Sequence, residues 1–446
     1  MEDKSHIRKK NIRQLILIII ILIIGSVVIS KYNFYDYTKS VRDKGKTSFS
    51  RDNSVKCSDM KSYKIENKNF NDAMFSKSIE VKPNTPYKVT CMVKTENVQN
   101  ENNLKNGGAQ IAIKDTVECS KSVIGTTDWT ELTFMFNSKN RENVEIAFRL
   151  GGYEEKSKGT AWFSDFKLEE GSSDVNNNWN VALFMIENVD LNLDLNGNGN
   201  TTKYSFSMSA KDIISLENSI NRLPDTIKEF SKNKMSMTYD VIRIKEPLTN
   251  ISYNEANEYY VSPHDVTGLI DKYLEKEEYD YIYVAVRLGD LSKSRTVLVH
   301  DWIGLGGMDY YGVGFANIRL PDSEDSHIYN VGLNTFAEEV FLHEFLHTLE
   351  RNEKEYGNKN IVELHAYKDY GYKENTGLKE WYKVYMQNNI NNANGKKGGL
   401  TANIYTSKPP QKSNFKYSYE LNSLDDPSNL IEEISILVNK ITSLFK

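Results

Sequence analysis

The sequence predicts a multidomain protein with an N-terminal transmembrane helix, an all-β sandwich of the jelly-roll kind and a C-terminal α+β domain. Three patterns indicate this organisation. Residues 15–30 form an apolar run without a charge, residues 52–171 alternate apolar and polar positions in short runs, and residues 179–446 mix strand-like and helical periods. A chain of 446 residues also exceeds one ordinary core, so several domains are expected.

The charge balance excludes one class of partner. The net charge is -5, and acidic and basic residues are well mixed without a basic stripe, so nucleic acid is not an expected partner. The mixed charges, the 27 tyrosines and a hydrophobic fraction of 39% are typical of folded domains and not of a disordered chain.

The N-terminus has the features of a targeting segment. Basic residues precede the apolar run, at Lys4, Arg8, Lys9, Lys10 and Arg13. The run is near the ~17-residue lower limit for a spanning helix, and the basic flank predicts that residues 1–14 stay in the cytoplasm. We therefore expect a signal anchor at 15–30, a linker at 31–51, and a single-pass membrane protein whose catalytic domain is extracellular. A cleaved signal peptide is the alternative, because Val28 and Ser30 fit the -3 and -1 positions, and it predicts secretion.

The cysteines are Cys57, Cys91 and Cys119, an odd number confined to the first third of the chain. They predict either one disulfide with one free thiol or three small core residues. Because no cysteine follows Cys119, a cysteine nucleophile and a thiolate zinc site are excluded from the C-terminal domain.

The predicted sandwich covers residues 52–171. Apolar side chains alternate with polar ones at 87–93, 131–136 and 144–150, so they share one face of each strand. A stretch of Gly, Ser, Asp and Asn at 172–178 is typical of a linker. The boundary to the C-terminal domain is therefore expected there.

The C-terminal domain, 179–446, is predicted to combine strands and helices. The expected elements are helices at 211–232, 263–276 and 430–445, and strands at 235–244, 279–287 and 312–320. The strand at 312–320 is rich in glycine at its start, which suits an edge strand that pairs with an extended substrate. An ordinary interior strand is an equally good interpretation.

One predicted helix carries a group of residues that suits a metal site. Residues 336–350 have helical periodicity, and His343 and His347 lie four positions apart, which places both imidazoles on one helix face. This spacing suits two ligands of Zn²⁺, and Glu344 beside them suits a general base that acts on water. Of the seven histidines in the chain, three lie between positions 343 and 365.

Catalytic zinc sites need a third protein ligand. The candidates, in order, are His365, Glu350 and Glu363. Glu350 also lies three residues after His347 and can accept a hydrogen bond from its ring. Nearby, Tyr370 and Tyr372 are candidates for contacts with the substrate or the transition state, although packing is the simpler role for both.

Two resemblances add to this interpretation. The region from Trp179 to Tyr405 resembles bacterial, especially clostridial, zinc metallopeptidases of the zincin type, through the residues from His343 to Glu350 and through His365 with the aromatic residues that follow it. The resemblance implies a zincin fold, with His343 and His347 as ligands and Glu344 as base, and it favours His365 as third ligand. Such relatives tend to have Asp where this chain has Ala366.

The second resemblance concerns residues 54–170, which resemble jelly-roll carbohydrate-binding modules. It rests on the runs 128–130, 149–152 and 159–168. These are mainly scaffold positions, so the resemblance implies a glycan ligand or, equally, a structural spacer.

The function expected from these patterns is hydrolysis of peptide bonds in a protein or glycoprotein by an extracellular, membrane-anchored zinc metallopeptidase. Two alternatives remain. One is an envelope-anchored glycan-binding protein with an inactive zincin-like domain, and the other is a zinc amidase acting on cell-wall material.

Overall fold

A computed structural model describes residues 37–420, apart from 59, 102–106, 154, 172–175, 195–198, 254–258, 275–277, 290–302, 321–326, 330–335, 359–360, 392–396 and 410–414. The expected targeting segment at 1–30 and the expected helix at 430–445 lie outside the described residues.

The N-terminal part is a sandwich of two antiparallel sheets. Its strands are β1 (Thr38–Val41), β2 (Thr47–Cys57), β3 (Met60–Asn71), β4 (Ala73–Glu80), β5 (Pro86–Asn100), β6 (Gly108–Ile113), β7 (Gly125–Asn137), β8 (Asn143–Gly151) and β9 (Ser157–Gly171). One sheet has the order β1-β4-β8-β6 and the other the order β2-β3-β9-β5-β7. In β7, Leu132, Phe134 and Phe136 are buried and alternate with more exposed residues, because one face of the strand meets the opposite sheet. The predicted all-β sandwich is confirmed.

The sandwich extends beyond its expected limits at both ends. The strand β1 and the start of β2 lie within 31–51, where a linker was expected. From the far end of the chain, β21 (Phe415–Glu420) pairs antiparallel with the end of β9. The three cysteines are free thiols, so no disulfide links the strands.

The second part is built on a five-stranded sheet. Its strands are β10 (Asn178–Ile186), β13 (Ser236–Ile244), β16 (Tyr281–Val286), β17 (Gly304–Tyr310) and β18 (Val313–Arg319), in the order β13-β10-β16-β18-β17. The first four strands of this order are parallel, and only β17 is antiparallel to its neighbour. Short hairpins surround the sheet: β11 (Asn188–Leu193) with β12 (Thr202–Ser207), β14 (Ser252–Tyr253) with β15 (Tyr259–Tyr260), and β19 (Ile390–Asn391) with β20 (Lys397–Gly398).

Helices cover both faces of this sheet. They are α1 (Ala210–Phe230), α2 (Pro263–Leu274), α3 (Glu339–Glu355) and α4 (Glu374–Met386), with 3₁₀ turns at His327–Tyr329, Leu364–Tyr370 and Ala402–Thr406. In β10, Val181, Leu183 and Met185 share a core with α1, α3 and α4, whereas the residues between them share a second core with α2. The helix α1 begins with a capping box between Ser209 and Asp212.

The predicted α+β zincin domain is therefore wrong. This part of the chain is a layered α/β unit with a mainly parallel sheet. The sequence showed strands alternating with helices, but it did not show which strands pair or in which direction. All six residues of β16 are buried, because helices lie on both faces, and strands buried on both faces are typical of parallel sheets.

The membrane placement also needs correction. No helix among the described residues is both long and apolar enough to cross a bilayer. The longest, α1, has 21 residues, but it carries charged residues such as Lys211, Glu217 and Lys228 on its exposed face. The single-pass membrane placement is not supported, and the stretch 15–30 on which it rested lies outside the described residues.

The sandwich contacts the second part through buried charges. Lys139, in the turn between β7 and β8, forms ion pairs with Glu118 (Nζ to Oε1, 3.4 Å) and with Glu355 of α3. Arg141 donates to Glu118 Oε2 at 2.9 Å. Burial lowers the pKa of Lys139 to about 8, and the two cations lower the pKa of Glu118 although burial opposes them. The two parts are thus joined by a charged cluster that is largely removed from water.

Candidate metal centre

The helix α3 lies against the sheet with its two candidate ligands directed away from the core. Phe341, Phe345 and Leu349 are buried in the core. Two tyrosines of β16 fix the helix to the sheet: the Tyr281 hydroxyl donates to the Glu344 carbonyl at 3.0 Å, and the Tyr283 hydroxyl donates to the Phe341 carbonyl at 2.6 Å. These hydrogen bonds hold the part of α3 that carries His343 and His347 against the sheet. The backbone of both histidines is therefore fixed relative to β16.

His365 reaches the same place from the 3₁₀ turn Leu364–Tyr370. Two hydrogen bonds hold the start of this turn: the Leu364 N–H donates to Glu350 Oε1 at 3.2 Å, and the Trp381 indole N–H donates to the Leu364 carbonyl at 2.8 Å. The position of His365 is therefore set by α3 and α4 together.

The three histidines present the same ring nitrogen to one point. The Nε2 atom of His343 lies 3.1 Å from that of His347 and 3.0 Å from that of His365. Among the described residues, this is the one group of three side chains whose ligand atoms come within 4.8 Å of one another. Zinc bound tetrahedrally by nitrogen at ~2.0–2.1 Å separates its ligand atoms by a similar distance.

Two of these rings, those of His343 and His365, have lowered pKa values. Burial, together with His347 and His365, lowers the pKa of His343 to about 3. Burial and the neighbouring His347 likewise lower the pKa of His365. Imidazoles whose Nε2 atoms meet at one point and are not protonated offer lone pairs to a metal ion. The donor set fits Zn²⁺.

Glu344 lies next to this cluster in a nearly dry environment. It is 4% exposed, and burial raises the pKa of its carboxyl to about 7, although His347 and the Gly306 N–H both act in the opposite direction. The strand β17 covers it closely: a Cβ at Gly304 would collide with the Glu344 carboxylate, and one at Gly306 would collide with its carbonyl oxygen. The glycines of β17 thus make room for Glu344.

Each histidine of α3 has a partner at its other ring nitrogen. His343 Nδ1 lies 2.9 Å from the Tyr382 hydroxyl, and His347 Nδ1 lies 3.4 Å from Glu350 Oε2. Glu350 therefore faces the side of His347 opposite to the cluster of Nε2 atoms. This position suits a residue that orients a ligand.

The other candidates from the sequence lie farther from the cluster. The Glu363 side chain is 70% exposed and pairs with Lys354. Tyr370 and Tyr372 both pack on Trp381, with ring centroids 5.7 and 5.3 Å apart. Sequence reasoning assigned no role to Tyr382, Glu339 or the glycines of β17. A helical spacing of four residues between Glu339 and His343 was the available signal for Glu339.

A cavity of about 510 Å³ opens onto the cluster. His343, Glu344 and His365 form its floor, and Val340, Leu378 and Tyr367 contribute apolar walls. Its size is within the range of small-molecule and peptide sites, ~300–1,000 Å³. The cavity thus exposes the candidate base and two of the three candidate ligands, His343 and His365.

No protein-family model matches the sequence, and no curated protein matches it. Solved structures match about a third of the chain. A tailspike protein of bacteriophage CBA120 has 13% identity and a TM-score of 0.24, covering 30% of this chain and 19% of its own. A carbohydrate-binding module in complex with beta-1,4-galactotriose has 13% identity and a TM-score of 0.21, covering 30% and 86%.

A third match is the xylanase 10B of Clostridium thermocellum, solved with xylohexaose, at 11% identity and a TM-score of 0.22; the alignment covers 34% of this chain and 31% of that one. The chain therefore spans less than two thirds of the tailspike and the xylanase. At these identities and TM-scores the matches assign no function to this chain.

Proposed function

We propose that the protein is a zinc-dependent hydrolase of peptide bonds, with His343, His347 and His365 holding Zn²⁺ and Glu344 acting as general base. The observation that carries this proposal is the convergence of three Nε2 atoms beside a buried carboxylate at the floor of an open cavity. Catalytic zinc sites use three protein ligands of this kind and a nearby group that accepts a proton from water.

A zinc ion in such a site supplies Lewis acidity, which polarises a substrate carbonyl and lowers the pKa of water. Glu344 then accepts a proton from the attacking water and passes it to the departing amine. Burial gives this carboxyl a pKa near neutrality, which suits a group that must both take and return a proton. A hydrogen bond from the Gly306 N–H stabilises the charged form of this carboxylate against the effect of burial.

A peptide is favoured as substrate by the position of β17. In the described part of the chain this strand pairs on one side only, with β18, and Gly304 at its start lines the cavity. An extended peptide can therefore pair with the open side of β17. The strand at 312–320, expected from the sequence as the candidate edge, corresponds to β18 and lies between β16 and β17.

The test uses the purified full-length chain, elemental analysis and cleavage of a peptide library. We expect bound zinc and cleavage, with both lost in His343→Ala. Glu344→Gln should keep the zinc and lower kcat by ~10²–10⁴-fold. The exposed Glu363→Gln is the control and should resemble the wild type. A chain that takes up no zinc, or a Glu344→Gln variant of full activity, contradicts the proposal. Cleavage of cell-wall amides without cleavage of peptides assigns the site to an amidase.

Glycan binding by the sandwich is a second candidate. The observation in its favour is Trp129, which is half-buried on β7 beside Asp128, whose side chain is 85% exposed. Aromatic faces of this kind stack on sugars, and the similar modules were solved with oligosaccharides. Trp162 is a poor alternative, because it is 6% exposed and Lys64 lies over its ring. Retention of a glycan that is lost in Trp129→Ala, and kept in Tyr153→Ala, supports this role, whereas a glycan array without binding opposes it.

A further inference from the structure

Tyr382 is the buried partner of one candidate zinc ligand. It lies on α4 and is 2% exposed. Its hydroxyl is 2.9 Å from His343 Nδ1 and 3.5 Å from Glu339 Oε1. Glu339 lies one turn before His343 on α3, so the phenol bridges two residues of the same helix face.

The direction of these hydrogen bonds follows from the ligand role. A neutral histidine that binds a metal through Nε2 carries its proton on Nδ1. The His343 Nδ1–H then donates to the Tyr382 oxygen, and the hydroxyl is left to donate to the Glu339 carboxylate. This series of hydrogen bonds runs from His343 through Tyr382 to the Glu339 carboxylate. A carboxylate at its end increases the basicity of the His343 ring and makes it a stronger ligand.

We propose that Tyr382 is a positioning residue that fixes the ring and tautomer of His343, with Glu339 as the terminal acceptor. His347 is oriented differently, because the Glu350 carboxylate contacts its Nδ1 directly. Both candidate ligands of α3 therefore have a hydrogen-bond acceptor at Nδ1, which is a phenol oxygen for His343 and a carboxylate for His347.

The residue before Tyr382 extends this role of α4. Trp381 donates its indole N–H to the Leu364 carbonyl, and Leu364 immediately precedes His365. Adjacent residues of α4 thus orient His343 and locate His365. A shift of α4 would therefore disturb two of the three nitrogens together, and Trp381 and Tyr385, which are fully buried, hold this helix in the core.

The inference rests on the proposed zinc site, and Tyr382→Phe tests it. The matched control is Tyr385→Phe, on the same helix and equally buried, because in the described part of the chain the Tyr385 hydroxyl has no hydrogen-bond partner. We expect zinc affinity, measured by competition with a chelator, to fall ~10–100-fold in Tyr382→Phe and to stay within about twofold of wild type in Tyr385→Phe. In the cobalt-substituted protein, the visible absorption bands should change only for Tyr382→Phe.

A second measurement tests the relay. Adding Glu339→Ala to Tyr382→Phe should weaken zinc binding no further, because the contribution of Glu339 passes through the phenol. A further loss overturns the relay, and an unchanged affinity of Tyr382→Phe overturns the inference while leaving the zinc site intact. A wild-type chain that binds no zinc overturns both the inference and the proposed function.

Discussion

His365 Nε2 lies 3.0 Å from His343 Nε2, although the two residues belong to different elements and twenty-two positions separate them. The contact depends on the turn Leu364–Tyr370, which hydrogen bonds from Leu364 to Glu350 and from Trp381 to Leu364 hold in place. The position of His365, the candidate third ligand, is therefore a consequence of tertiary packing.

We expect His365→Ala to lose zinc. The loss of a direct ligand should weaken zinc binding by more than the ~10–100-fold typical of a residue that only orients a ligand. Elemental analysis and chelator competition measure this effect. Glu363→Ala, two residues earlier and exposed, is the control. If His365→Ala keeps the zinc affinity of the wild type, His365 is not a ligand, and Glu350 and Glu363 become the candidates for the third position.

Gly304→Ala should impair turnover without removing zinc. The added methyl group collides with the Glu344 carboxylate, and displacement of a catalytic group by ~1 Å costs up to ~10²-fold in rate. Gly268→Ala in α2 is the control, because a Cβ there meets no atom within 4 Å and a helical alanine stabilises by ~0.5–1 kcal/mol. Zinc content, kcat and thermal unfolding separate the two effects. Normal kcat in Gly304→Ala would show that Glu344 tolerates displacement.

Lys139→Met should destabilise the folded protein. Lys139 is 11% exposed at its side chain, and its removal leaves Glu355 without that partner in the interface between the sandwich and α3. We expect a loss of ~3 kcal/mol in the free energy of unfolding, which is the lower end of the range for breaking a buried ion pair. The loss is not larger because Arg141 still pairs with Glu118. Lys94→Met, which breaks the exposed pair with Asp128, should cost ~0–1 kcal/mol. Equal effects of the two substitutions in denaturant titrations would contradict a buried interface.

The thiols of Cys91 and Cys119 should be unreactive in the native protein. Cys91 is fully buried, and burial raises the pKa of Cys119 to about 12 and that of Cys91 well above its usual value. Because the thiolate is the reactive species, alkylation at pH 8 should leave both residues unmodified until the chain unfolds. Mass spectrometry should then count three modified cysteines. A disulfide between any two of them would contradict the free thiols of the structure.

Local pattern predicted much of the fold. The helical periods at 211–232 and 263–276 correspond to α1 and α2, and the alternation at 131–136 corresponds to the end of β7. The sequence could not give the parallel pairing of β10, β13, β16 and β18, because pairing depends on which faces the helices cover. Nor could it place β21 beside the end of β9, because more than 240 residues separate the two strands.

The sequence by itself determined the pair His343 and His347 with Glu344 beside them, because a helix of 3.6 residues per turn places positions four apart on one face. It also determined the sandwich, through a period of two. The tertiary structure decided which residue joins the pair, how β17 covers Glu344, and that Tyr382 supports His343. These relationships join elements that are distant along the chain, and only the packing of α3, α4 and the sheet brings them within hydrogen-bonding distance.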